Sequence, residues 1–254
     1  AENGMAETND GAVGTMWWSK AILIGAVVAA ALLPLGALGT RVGIWTFGTG
    51  FLLLAAATVL AAIGLVTGIA GIIAAHRRNL RDDRQAVYLG TIVSLLILGL
   101  MGQQFYAASS VPPIHNISTD VADPPQFDAV VALRGENANP LEYNADEIAA
   151  AQLEAYPWVE TLESDLAPDA ALSRAVDVLE GMGLEIVDID AQAGRVEATD
   201  TTRWFGFKDD VVVRVRPGPE GSVVDMRSVS RVGVSDLGKN AQRIGEFLEA
   251  FREG

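Results

Sequence analysis

The pattern of apolar and polar positions changes character once along the chain. Residues 17–107 are almost continuously apolar, whereas residues 108–254 alternate apolar and polar positions in short blocks. Within the first part, residues 21–38 form an uncharged run of about the ~20 residues that a helix needs to cross a bilayer. It is introduced by Trp17-Trp18, side chains suited to the membrane interface. Residues 46–75 are a second run without a single charge, long enough that a helix there must tilt or protrude. Residues 86–107 are a third, ending near Gln103-Gln104-Phe105-Tyr106. The pattern predicts spans over about 18–38, 46–75 and 86–107, joined by loops at 40–45 and 76–84. Residues 1–16 are polar, small and aperiodic, which predicts disorder.

In the second part, residues 111–143 carry Pro112-Pro113, Pro124-Pro125 and Asn139-Pro140 without any period, so an extended lead is expected. Phe127 and the apolar residues 130–133 would lie along the domain surface, leaving the rest as a clamp between membrane and domain. Residues 145–154 favour a short helix, broken at Tyr156-Pro157-Trp158. Pro168-Asp169 opens a helix whose Ala171, Leu172, Ala175, Val178 and Leu179 fall at helical spacing, and Gly181 and Gly183 end it.

Two hairpins follow by alternation and turn composition, 184–190 with 195–201 and 210–216 with 222–230. If Val211, Val213 and Val215 face inward, the partner strand answers with Val224, Met226 and Ser228. Arg214, Arg216, Asp225 and Arg227 then share the opposite face, where unlike charges can pair. Ser235 or Asp236 can cap a last helix with Leu237, Ala241, Ile244, Leu248 and Phe251 as its apolar stripe. The fold class is therefore α+β: three transmembrane helices, then a four-stranded antiparallel sheet with helices on one face and the other face half wet.

Charge sharpens this division. Residues 108–254 hold 27 Asp and Glu against 12 Lys and Arg, a net −15, while the rest of the chain is +1, so the net charge of −14 belongs to that domain. Such a domain repels phosphate-rich surfaces, which argues against nucleic acid as a partner. The 76–84 loop has four arginines and the 40–45 loop only Arg41, and short basic loops stay in the cytoplasm. Residues 108–254 should then face the periplasm of a bacterial inner membrane. Ala37-Leu38-Gly39 also fits a signal-peptidase site, so the first span has a second reading as a cleaved leader. Gly64 and Gly68 have the spacing of close helix packing, either within the chain or in a homo-oligomer through the spans. No Asp, Glu, Lys, Arg or His lies inside the apolar runs 21–38, 46–75 and 86–107, which disfavours a transporter.

Chemistry concentrates at two places. Trp204-Phe205-Gly206-Phe207-Lys208-Asp209-Asp210 offers adjacent carboxylates, either as cation ligands or as solvated acids rimming an aromatic plug under the sheet. The stretch 227–244 offers Arg227, Ser228, Ser230, Arg231, Ser235, Asp236, Asn240 and Arg243. Its arginines could clamp an anion, or pair with Asp209, Asp210, Asp225 and Asp236 in a structural ion network. There is no cysteine, no phosphate-binding glycine loop and no metal-ligand spacing, so neither a cofactor nor a metal is expected. His115-Asn116-Ile117-Ser118-Thr119-Asp120 crowds triad-type residues together, but triads assemble from distant positions, and loop capping is the plainer reading. Asn116-Ile117-Ser118 is also a glycosylation sequon, relevant only on a eukaryotic secretory route.

At these residues the chain resembles the family catalogued as domain of unknown function 1499. The family's Gly-Phe-x-Asp-Asp turn stands here as residues 206–210, and its Arg-Ser-x-Ser-Arg-x-Gly-x-Ser-Asp-x-Gly-x-Asn-x-x-Arg-Ile stretch as residues 227–244. The resemblance covers roughly 112–254, including a proline-rich lead similar to that of membrane-attached proteobacterial members. Some members carry a cysteine in that lead, which this chain lacks. The resemblance implies a fold and a membrane setting; the family has no established activity to transfer. The expectation is a non-enzymatic membrane protein whose domain binds a partner or ligand. The alternatives are an enzyme using Asp209, Asp210, Arg227 and Arg231, and an accessory subunit of a membrane complex.

Overall fold

The computed structural model describes residues 16–253, so the expectation of a disordered start falls almost wholly outside the described residues. The chain divides into two compact units, one up to residue 103 and one from residue 104. The first contains α1 (Trp17–Arg41), α2 (Phe47–Arg77) and most of α3 (Arg81–Ser109). Each of the three is long and apolar enough to cross a membrane. The connection expected over 76–84 is shorter than that. Arg81 already opens α3, whose first turn holds Asp82 and Asp83, where carboxylates suit the positive end of the helix dipole.

Small residues let these helices approach. A Cβ added at Gly64 would lie 2.4 Å from Ser94 Oγ, and one at Gly68 2.2 Å from Thr91 Oγ1, so both glycines face α3 of the same chain. The buried Asp83 carboxylate accepts hydrogen bonds from Ser19 Oγ and from the Met16 amide. That contact sets the N-terminal ends of α1 and α3 side by side. Lys20, Arg77, Arg78, Arg81 and Arg84 gather at that end of the bundle, with Arg41 at the other.

The second unit is built on one antiparallel sheet of six strands. These are β1 (Asn116–Ser118), β2 (Leu162–Ser164), β3 (Glu185–Asp190), β4 (Arg195–Thr201), β5 (Lys208–Pro217) and β6 (Ser222–Ser230). The helices are α4 (Ala145–Ala155), α5 (Pro168–Gly181) and α6 (Lys239–Glu253). The four expected strands are present as β3 to β6. The two that alternation missed, β1 and β2, are three residues each and pair with the outer edge of β6. Three residues carry no readable period, and both strands exist because β6 offers an unpaired ladder. The β3–β4 turn needs its glycine: Gly194 has φ +62°, and a Cβ there would sit 2.3 Å from the Val215 carbonyl.

The β5–β6 register pairs Val211 with Ser228, Val213 with Met226 and Val215 with Val224, as the alternation requires. These residues, with Val196 and Ala198, form the inner face against α5 and α6. Leu172, Ala175, Leu179, Ile244, Phe247, Leu248 and Phe251 close the core, each buried leucine, isoleucine or phenylalanine side chain stabilising by about 1.5–3 kcal/mol. Leu237 is not part of the stripe. It is exposed at φ +58° in the turn before α6, because Asp236 starts the helix later, at Lys239.

The opposite face is not half wet. Glu197, Asp210, Val212, Asp225, Arg227 and Val229 on that face are all buried. The proline-rich lead covers them, placing a short 3₁₀ helix, Ala129–Leu133, against β3 and β4. Charged side chains on that face make the cover specific: Glu197 accepts from backbone amides of the lead, Arg227 and Arg214 donate to its carbonyls, and Asp210 accepts from the Arg134 side chain.

Candidate functional site

Adjacent residues of a strand point to opposite faces, and this decides the geometry of the motif. Asp209 and Asp210 do not form a carboxylate pair: the sheet lies between them. The ten residues singled out above therefore separate into two clusters, neither of which matches the solvated rim or the cation site expected of adjacent acids.

The helix-face cluster is centred on Arg243, one α-helical turn into α6. Its guanidinium donates from Nη2 to Asp209 Oδ2 at 2.7 Å and Asp200 Oδ2 at 2.5 Å, and from Nη1 to Ser228 Oγ at 3.0 Å and Asn240 Oδ1 at 2.7 Å. Asp200 and Asp209 stand directly opposite each other in the β4–β5 ladder, an arrangement of like charges that needs a cation between them. Those two carboxylates hold the Arg243 pKa above its usual value against the cost of burial. Asn240 donates to Ser230 Oγ and to the His115 carbonyl, tying α6 to the sheet edge. Asp236 caps α6, accepting from the amides of Gly238 and Asn240, and Ser235 Oγ accepts from the Leu237 amide. Burial pushes the Asp236 carboxyl up, opposed by those amides and reinforced by the charge of Asp209.

On the face covered by the lead, the strap face, Asp210 is fully buried and accepts from Arg134 Nη1, from Arg231 Nη2 at 2.7 Å and from Thr199 Oγ1 at 3.0 Å. Arg134 and Asn139 belong to the lead, and Asn139 also donates from its side chain to the carbonyls of Ser230 and Gly233. A second ion cluster joins Asp225 to Arg214 and Arg216, with Asp120 and Asp123 of the lead completing it. Glu197 holds the 3₁₀ helix by accepting from the amides of Asp128, Ala129 and Val130 at 2.8, 3.2 and 2.9 Å.

Arg227 departs from the ion-network expectation. Among the described residues it has no carboxylate partner; it donates to Asn116 Oδ1, the Pro125 carbonyl and the Leu141 carbonyl. Its guanidinium lies 5.3 Å from the Phe127 ring and 5.6 Å from the Tyr143 ring. Burial lowers its pKa to about 10 and raises that of Tyr143 to about 12. Sequence inspection assigned Arg227 to the wrong partners because Asp225 lies two residues away on the same face. Asp225 is taken by Arg214 and Arg216.

Other positions depart as well. His115 does not sit in a capping loop: residues 116–118 form β1, and only Asp120 caps, accepting from the amides of Ala122 and Asp123. Phe205 and Phe207, both half-buried, stack on each other at 5.0 Å in the β4–β5 turn, and Trp204 is exposed. Among the described residues, no group of three or more His, Asp or Glu side chains could hold a metal ion. An enzyme that joined Asp209 and Asp210 to Arg227 and Arg231 would need them around one substrate. Here Arg231 neutralises Asp210 while Asp209 lies across the sheet.

Arg134, Asn139, Glu197 and Asp200 are essential members that the sequence did not flag. Arg134 and Glu197 act on partners 76 and 67 or more positions away, beyond any local signal. Asp200 was within reach, since pairing 195–201 with 208–214 sets it against Asp209 and demands an arginine.

The family model described as "Protein of unknown function (DUF1499)" matches residues 116–251. The chain belongs to this family. The match runs from the start of β1 to within α6, so the DUF1499 domain includes most of the lead, the sheet and both polar clusters, while the three apolar helices precede it. No curated protein matches the chain.

Proposed function

We propose that the protein is a non-catalytic, multi-pass protein of a bacterial inner membrane that holds its DUF1499 domain in the periplasm, where it binds a partner or ligand of the envelope. One observation carries the non-catalytic part: Asp209, Asp210, Arg227, Arg231 and Arg243 are each bonded to other groups of the domain. A general base or anion clamp needs free hydrogen-bonding capacity facing a cleft, and these residues have spent theirs on fixing the lead and α6 to the sheet. The orientation is supported by the five basic residues at the α1 and α3 N-terminal end against Arg41 at the other, the retention pattern of a cytoplasmic face.

The test is purification of the full chain from its own membranes in mild detergent, beside a form truncated after residue 110. A companion molecule at fixed stoichiometry, retained by the full chain and lost by the truncated form, supports the binding role. Turnover of an envelope substrate that requires the domain would overturn the non-catalytic reading, and its loss in folded Asp209→Asn or Asp210→Asn would overturn the reading of these clusters as well.

A further inference from the structure

Most arginines of the DUF1499 domain donate to a carboxylate or a carbonyl. Arg174, on α5, is different. Its Nε and Nη2 are buried without a hydrogen-bond acceptor, and among the described residues it makes no ion pair. These two N–H groups form the edge of a guanidinium that receives both oxygens of a carboxylate or phosphate side by side. A native structure rarely leaves such donors unpaired, because the desolvation they have suffered is recovered only by an acceptor.

The surroundings supply a place for one. Arg174 lines a cavity of about 310 Å³ together with Leu162, Leu166, Phe251 and Arg252. That volume is at the lower end for small-molecule sites. The Phe251 ring lies 5.1 Å from the guanidinium, so the cation is held against an aromatic face. Arg252 is exposed at the rim and makes no ion pair among the described residues. Glu163, Asp165 and Ser164 also line the cavity, and neither acid reaches Arg174. Their charges select against a ligand carrying several negative groups and for one whose single anionic head goes to Arg174. The smaller cavity of about 180 Å³ beside α6 is a poorer candidate, because its Arg243 is already held by Asp200 and Asp209.

We propose that this cleft binds an amphipathic monoanion, a phosphate or carboxylate head on a short apolar chain, with Arg174 and Arg252 on the head and Leu162, Leu166 and Phe251 around the chain. Both donors are buried as they stand, so binding requires the Arg174 side chain to turn toward the cavity that it lines. The proposal gives the binding role above a ligand class and rests on that role. Its test reads direct binding to purified protein, so its failure leaves a protein partner as the domain's target.

The full chain in phosphatidylcholine nanodiscs is titrated by calorimetry with hexyl phosphate, inorganic phosphate and hexanol. Hexyl phosphate should bind once per chain, and the other two at least about tenfold more weakly, since each lacks half of the recognition. Arg174→Leu should weaken hexyl phosphate at least about tenfold and Arg174→Lys by less, because lysine keeps the charge without the paired donors. Arg252→Glu, at an exposed position that leaves the fold untouched, should also weaken it. Nanodiscs containing phosphatidic acid separate two sources of the same chemistry: occlusion of the site supports a lipid head, and undiminished binding supports a soluble amphiphile. No heat with hexyl phosphate, or equal binding by wild type, Arg174→Leu and Arg252→Glu, overturns the proposal.

Discussion

Asp210→Asn removes one charge from the centre of the strap-face cluster and leaves two arginines facing it. Asp210 is fully buried, and the side chains of Arg134 and Arg231 are 6% and 14% exposed, so water screens neither pair appreciably. Loss of one partner of a buried ion pair costs about 3–5 kcal/mol, since the remaining charge is stranded. Asparagine keeps one acceptor oxygen for Thr199, so the lost term is the charge. Domains of this kind have about 5–15 kcal/mol of total stability, which makes the variant marginal. Hydrogen exchange of the full chain in detergent measures the effect at the β5 and β6 amides, which open only with the domain. The energy corresponds to exchange faster by roughly a hundredfold to a few thousandfold. Asp123→Asn, at a carboxylate 67% exposed, is the control and should change exchange by less than about fivefold. Exchange in Asp210→Asn within threefold of wild type would refute the claim that this cluster holds the lead to the sheet.

Other outcomes follow from the same geometry. Glu197→Gln should release the 3₁₀ helix locally, speeding exchange at Asp128, Ala129 and Val130 and costing about 1.5–3 kcal/mol for the lost charge-assisted bonds. Asp236 has a folded pKa raised above 3.8, so the native domain holds a proton there that the unfolded chain releases first. Wild-type stability relative to Asp236→Asn should therefore fall as pH rises above about 3.8, read by chemical denaturation at successive pH values. Gly68→Leu drives a side chain into Thr91 and should loosen the bundle, seen as faster proteolysis of the 78–80 turn between α2 and α3 in detergent.

How much of this was legible depended on the range of each interaction. The β5–β6 register followed from the valines alone, because a one-residue slip would have put Arg214 and Arg216 in the core. The helices α5 and α6 followed from their stripes, and the three apolar helices from length and hydropathy. Strands β1 and β2 were hidden because three residues next to prolines or turns show no alternation; only the free edge of β6 creates them. The motif was read as one site because its residues are contiguous, whereas strand alternation sends Asp209 to α6 and Asp210 to the lead. Covering of the second face was signalled only indirectly, by the number of ionisable residues predicted on it. Their partners, Arg134, Asn139 and the amides after Phe127, lie in a segment with no period to read.

The account's central claim is that three spans deliver the DUF1499 domain to the periplasm, and the absence of cysteine from the chain makes it directly testable. Single cysteines are introduced at Trp204, exposed on the domain, and at Asn79, in the basic turn between α2 and α3, and intact cells are treated with a membrane-impermeant maleimide. The account predicts labelling at position 204 in intact cells and at position 79 only after the membrane is opened; labelling with the reverse pattern would contradict it.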